Sequence, residues 1–261
     1  MVGSKELWRY KMAEERKFPT EVVDLPSRGK LYPSDSPISN GKIEIKYMTA
    51  KEEDILTSQN LIKKGLVIDK LLDSLIITEG ISLEDLIIGD KNAIMVASRI
   101  LAYGPEYTVE ITDPDTGELF THTFNLADCP FKETPDDIKS NDFEFQLPVS
   151  KKKIGFKLLT GKDEISITKE LESMNKINPL VSKEITTRLR HVIKSIDGNT
   201  DQSTINQFVE NMLARDSLAL RNEIARISPD IELVQEVERG GKTVTVGIPM
   251  TVNFFWPSTT T

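Results

Sequence analysis

Cysteine is all but missing from this chain: Cys129 stands alone among 261 residues. A single thiol forms no intrachain disulfide and builds no all-cysteine metal site, which suits a reducing compartment or indifference to redox. Histidine is nearly as scarce, with His122 and His191 only. No apolar run approaches the roughly 18 residues needed to cross a bilayer. The opening MVGSKELWRYKMAEERKF also lacks the continuous apolar core of a signal peptide. These absences predict a chain neither exported by that route nor membrane-spanning. A basic surplus is missing too, since 33 Lys and Arg face 41 Asp and Glu for a net charge of −8. Neutralising a phosphate backbone takes a positive footprint, so general nucleic-acid binding is disfavoured and only a local patch stays open. No glycine-rich nucleotide fingerprint, serine elbow or His-Glu-x-x-His occurs.

What is present describes a globular chain long enough for two modest domains: 38% hydrophobic and 28% charged residues, with a mean hydropathy of −0.28. Its organising stretch runs from Lys46 to Ile111. Thr49 followed three residues later by Glu52 reads as a capping box. Ile68, Leu71, Leu72, Leu75 and Ile76 make one apolar stripe at helical spacing. Ser82 and Asp90 are further N-cap candidates, with short helices meeting near Gly89, and Gly104-Pro105 ends the last helix. YTVEITDPDTGELFTHTFNL then alternates on both sides of Asp113-Pro-Asp-Thr-Gly117 as a β-hairpin.

The same order returns further on. Ile154-Gly-Phe-Lys-Leu-Leu-Thr-Gly-Lys-Asp aligns with Ile43-Glu-Ile-Lys-Tyr-Met-Thr-Ala-Lys-Glu, placing Thr160 and Asp163 where Thr49 and Glu52 stand. Ile185, Leu189, Val192, Ile193 and Ile196 form one later stripe. Ile205, Phe208, Val209, Met212 and Leu213 form another, Asp216 opens a helix as Asp90 does, and a second hairpin turns at Gly240-Gly241. The expected fold is therefore α+β, two related units from an internal duplication behind an extended arm. Its boundaries are an arm and turn-rich segment at 1–41, a first unit at 42–126, a linker at 127–149 marked by ADCPFKETPDDIKSND, and a second unit at 150–261 with an aromatic tail.

Chemistry is thinly supported. His122, His191 and Cys129 could be imagined as a nucleophile set, but nothing in the sequence brings them together. Glu52-Glu53-Asp54 suits the positive end of a helix dipole without a metal. Lys151-Lys152-Lys153 reads as a solvated run ahead of an edge strand, and Asp136-Asp137 lacks the rest of a calcium loop. At the hairpin, Asp113 and Thr116 stand where a zinc knuckle would carry cysteine. No cofactor, metal or catalytic residue is expected. Candidate partner-binding residues are the aromatic group Leu7, Trp8 and Tyr10, the basic turn residues Arg28 and Lys30, and the terminal cluster Phe254, Phe255 and Trp256. Each aromatic group could dock on a neighbour or on its own chain, the terminal cluster there closing the core of the second unit.

FPTEVVDLPSRGKLYP, KYMTAKEEDIL and LIIGDKNAIMVASRILAYGPEYTVEI together resemble the T4-type bacteriophage baseplate hub and hub-assembly family. The resemblance covers about residues 18–125, and the second half only through the repeated order. It implies a non-enzymatic protein made in the host cytoplasm that works by contact with other hub and tail proteins. Such a protein either stays in the virion as a structural subunit, with an oligomer within the hub open to it, or helps the hub assemble and leaves. A cell-wall hydrolase is a distant third reading. The family brings no catalytic residues, and zinc is not carried over.

Overall fold

A computed structural model describes residues 18–177, 182–250 and 252–255. The chain is α+β, a set of small antiparallel sheets laced together by helices. Strand β1 (Thr20–Asp24) pairs antiparallel with β2 (Lys42–Lys46), Thr20 opposite Lys46. Helices α1 (Ala50–Leu56), α2 (Gln59–Lys63) and α3 (Val67–Leu75) follow. The Thr49–Glu52 capping box is present, with the Thr49 N–H donating to Glu52 Oε2 at 3.0 Å. On α3 the buried face is Val67, Leu71, Leu72 and Leu75. That helix ends at Ile76, which bridges back to Ile45 of β2. Ser82 caps a single 3-10 turn, Leu83–Asp85.

Helix α4 (Ile88–Tyr103) is long, ended by Gly104 at a φ of 85° that favours glycine. Its N-cap is Ile87, not the expected Asp90, because the Asp90 carboxylate is taken by residues far away in sequence. The hairpin is β3 (Glu106–Thr112) with β4 (Leu119–Asn125). Its turn is held by Asp113, whose Oδ1 accepts from the Asp115 and Thr116 amides at 2.9 and 3.2 Å.

In the second half β5 (Phe143–Gln146), β6 (Lys153–Phe156) and β7 (Ile193–Ile196) form a sheet in that order. Around them lie α5 (Gly161–Ile177), α6 (Glu184–Val192), α7 (Gln202–Glu210) and α8 (Ala214–Ile227). The last hairpin, β8 (Val234–Arg239) with β9 (Lys242–Gly247), turns at Gly240-Gly241 with φ of 57° and 78°. Local contacts recur between the halves. Thr160 N–H donates to Asp163 at 3.0 Å as Thr49 does to Glu52, and Lys157 pairs with Asp163 at 2.7 Å as Lys46 does with Glu52. The Leu25 and Leu147 amides donate to Gly41 and Lys152 carbonyls at 2.8 and 2.9 Å. As with Asp90, the cap of α8 falls on Leu213 rather than on the expected Asp216.

Two cores result. The first joins Leu25, Ile43, Leu72, Ile94 and Phe124 to Val237, Val244, Val246, Ile248, Phe254 and Phe255 from the other end of the chain. The second joins Leu147, Phe156, Leu189, Ile205 and Leu220 to Leu31 and Ile87 of the first half. The C-terminal hairpin thus packs on the first core while the second closes without it. A seam connects them: Ile87 bridges Thr160, the Gly161 amide donates to the Leu86 carbonyl at 2.9 Å, and a Cβ at Gly89 would overlap the Pro229 carbonyl.

Two measurements check this arrangement. Phe254 is fully buried, its ring 5.0 Å from that of Tyr107, and its carbonyl accepts from buried Arg99 at 3.0 Å. Phe254→Ala is expected to lower unfolding free energy by about 3–5 kcal/mol in urea titrations. Burial raises the carboxyls of Glu52 and Asp163, but hydrogen bonds from Lys46 and Lys157, with those from Thr49 and Thr160, leave both below their ordinary values. A lowered folded value means stability present above the unfolded value and lost as pH falls through the folded one. Between about pH 5 and pH 2, a Glu52→Gln, Asp163→Asn chain is expected to lose less stability than the parent.

Candidate partner-binding site

The basic turn owes its shape to a buried carboxylate. Asp90, in the first turn of α4, is fully buried; its Oδ1 accepts from the Ser27 amide at 2.9 Å, and its Oδ2 from the Ser27 and Tyr32 hydroxyls, each at 2.6 Å. The Tyr32 oxygen accepts in turn from the Ile87 amide at 3.1 Å. Burial pushes the Asp90 carboxyl up; the bonds from Ser27 and Tyr32 oppose the rise without cancelling it, and Asp230 adds to it. The Tyr32 phenol is raised far above its ordinary value by burial and by the neighbouring Asp90, so it stays a donor. The helix dipole favours the negative charge at this end of α4.

Those bonds hold Leu25–Tyr32 in a fixed course between the cores, Leu25 in the first and Leu31 in the second. Gly29 has a φ of 76°, and a Cβ there would overlap the Ser39 carbonyl, so the turn closes tightly on 38–41. Arg28 is left outermost, exposed and with a φ of 52°, a conformation that costs a side-chain-bearing residue free energy. Lys30 Nζ donates to the Asp136 carbonyl at 3.2 Å. A rigid turn presenting one guanidinium fits recognition of an acidic or carbonyl-rich surface.

The other expected site residues are scattered. Leu7, Trp8, Tyr10 and Trp256 lie outside the described residues. Phe254 and Phe255 are core residues with no surface for a partner: the terminal aromatics close the first core, not the second. His122 stacks edge-on to Phe124 at 4.7 Å. His191 contacts Glu170 at 3.1 Å, and Cys129 is buried, its sulfur accepting from Gln235 at 3.2 Å. Burial raises the Cys129 thiol, which keeps it protonated. Lys152 and Lys153 pair with Asp197 and Glu144. At the knuckle position the Asp113 carboxylate pairs with Arg239 of the other hairpin at 2.6 Å.

Sequence reasoning missed the Asp90 cluster and its counterpart, in which buried Asp216 accepts from the Val149 and Ser150 amides at 2.8 and 3.0 Å. Burial raises the Asp216 carboxyl, but these bonds, with Lys151 nearby, outweigh it and leave it low. The available signal was the Leu-Pro pair that precedes both loops, Leu25-Pro26 and Leu147-Pro148.

Against this geometry, the family model described as T4 bacteriophage base plate protein matches residues 18–256, nearly the whole chain. The chain belongs to the T4 bacteriophage baseplate protein family. No curated protein and no solved structure matches it. For a baseplate protein, a component of the phage tail, the relevant chemistry is contact with other baseplate proteins. Among the described residues, no helix is long and apolar enough to cross a membrane.

Two substitutions separate support from recognition. Asp90→Ala leaves the Ser27 amide and two hydroxyls without their acceptor and is expected to cost about 3–5 kcal/mol in denaturant titrations. Arg28→Gly relieves the left-handed backbone and is expected to raise stability by about 1 kcal/mol. The same variant is expected to recover less baseplate partner in pull-downs from infected cells.

Proposed function

We propose that this baseplate protein is a non-enzymatic structural subunit of the hub, acting through protein–protein contacts. The family match over residues 18–256 carries the reading. The polar chemistry supports it: Asp90, Asp216, Glu52, Asp163 and Asp113 are all committed to loops, caps or turns of the chain itself. Arg28 is the one candidate contact residue of the basic turn left exposed. Synthesis in the host cytoplasm, hub neighbours as partners, and nucleic acid and membrane as non-partners belong to the same proposal. The N-terminal group Leu7, Trp8 and Tyr10 is proposed as a further partner anchor, and the hairpin at Asp113 as a metal-free turn.

The two halves are proposed to derive from one duplicated unit, with 42–126 and 150–261 as its repeats and 127–149 as the linker. The paired contacts at Thr49 and Thr160, at Lys46 and Lys157, and at Asp90 and Asp216 support this. The loops before β2 and β6 correspond as well, through Leu25 and Leu147.

The second reading is a hub assembly factor that leaves the particle. Quantitative mass spectrometry of purified virions tests the choice: a subunit is expected at a fixed ratio to other tail proteins. Its presence in infected-cell hub intermediates but not in virions would favour the assembly factor. Peptidoglycan zymography of the isolated protein is expected to show no clearing, and a clearing band would overturn the non-enzymatic reading.

A further inference from the structure

Large apolar side chains lie open at the start of α8. Leu218 is 50% exposed, and Val149, in the turn between β5 and β6, is 42% exposed. Asp216 ties the turn to the helix, since it stands two residues before Leu218 and accepts from the Val149 and Ser150 amides at 2.8 and 3.0 Å. Arg215 and Arg221 are exposed as well, three residues before and three after Leu218. That spacing puts all three on one face of the helix, a leucine between two guanidinium-bearing positions about 9 Å apart along the axis.

The charge exposed on this face has one sign. From Asn211 to Asn222 the only acid is Asp216, and it is buried. Among the described residues, Arg215, Arg221 and Lys151 form no salt bridge. Their neighbours do: Arg226 pairs with Glu223, Lys152 with Asp197 and Lys153 with Glu144, while Glu210 is turned to Arg190 at 3.8 Å. Lys151 extends the basic rim from the turn, with a left-handed φ of 59°, as Arg28 stands at 52° in the turn held by Asp90. In a chain of net charge −8, a helix face that exposes arginine and leucine and no acid over these residues is a local exception.

On the duplication reading Asp216 answers Asp90, so Arg215 and Leu218 stand where the first half has Gly89 and Asn92. There the end of α8 closes the surface: a Cβ at Gly89 would overlap the Pro229 carbonyl, and Asn92 donates to Asp230 at 3.1 Å. Arg215 carries the side chain that such an approach forbids, so a second copy cannot dock here by repeating the seam. We propose that this face of α8, with the turn at Val149–Lys151 beside it, docks a different baseplate protein, one presenting an apolar side chain between two carboxylates roughly 9 Å apart. The proposal rests on the reading of this chain as a subunit that works by contact. Burial of Leu218 supplies attraction, and guanidinium–carboxylate pairs at Arg215 and Arg221 fix the register.

Phage carrying Arg215→Lys or Arg221→Lys keeps a cation at each position and gains an amine there. A carbodiimide joins an amine only to a carboxylate in contact with it, and mass spectrometry of virions and hub intermediates treated in this way identifies the chain that supplies the carboxylate. Links from positions 151, 215 and 221 to acidic residues of another baseplate protein are expected. Leu218→Asp, and Arg215→Glu combined with Arg221→Glu, are expected to leave the melting temperature of the isolated chain unchanged and to cut its incorporation about tenfold or more. Glu236→Lys, at an exposed position on β8, is expected to leave incorporation as it is. Links from the three positions that stay within this chain or reach only further copies of it overturn the proposal, as does normal incorporation of the charge-reversed chain. A chain present in the particle and linked to neighbours through other surfaces alone overturns this inference and leaves the contact reading standing. A chain found in neither virions nor hub intermediates overturns both.

Discussion

A buried carboxylate surrounded by donors is costly to leave unpaired, and Asp90 meets that constraint by drawing Ser27 and Tyr32 onto the first turn of α4. Much else depends on this one group. The loop it holds places Leu25 in one core and Leu31 in the other, and the same loop leaves Arg28 standing outward. Because Tyr32 also accepts from the Ile87 amide, the cluster reaches the residue that bridges to Thr160 across the seam. One side chain thus ties together a surface turn, a helix start and the joint between the halves.

What could be read from the sequence was short-range. The capping box at Thr49 and Glu52, the turn at Gly240-Gly241 and the end of α4 at Gly104 each depend on residues within about four positions of one another, where local rules operate. The apolar stripe of α3 followed from periodicity. Asp90 and Asp216 were misread as caps because both stand near helix starts, while their partners, 63 and 67 positions away for Ser27 and Val149, follow no period. Phe254 and Phe255 were recognisable as a cluster that would be buried or bound. Which core they fill was not legible, since an apolar pattern reports burial and not the identity of the neighbour.

The candidate site divides in the same way. Arg28 and Lys30 could be picked out as a basic turn, but the Gly29 contact with Ser39 and the exposure of Arg28 depend on tertiary closure. Membership of the T4 baseplate family fits a chain whose buried ionisable groups hold loops and turns in place. Rigid surfaces of this kind lose little conformational freedom on docking, which is how modest interfaces reach useful affinity.

The C-terminal residues that complete the first core have a consequence for how the chain is made. Leu25 and Ile43 leave the ribosome long before Val244, Phe254 and Phe255, which belong to the same core. A nascent chain therefore carries an unfinished apolar surface until Phe255 has emerged. Contacts of such long sequence separation slow folding and prolong exposure to aggregation. The second core has no such delay, since everything it needs has emerged by Ile227. Synthesis runs from the N-terminus, yet the half begun first is the half finished last.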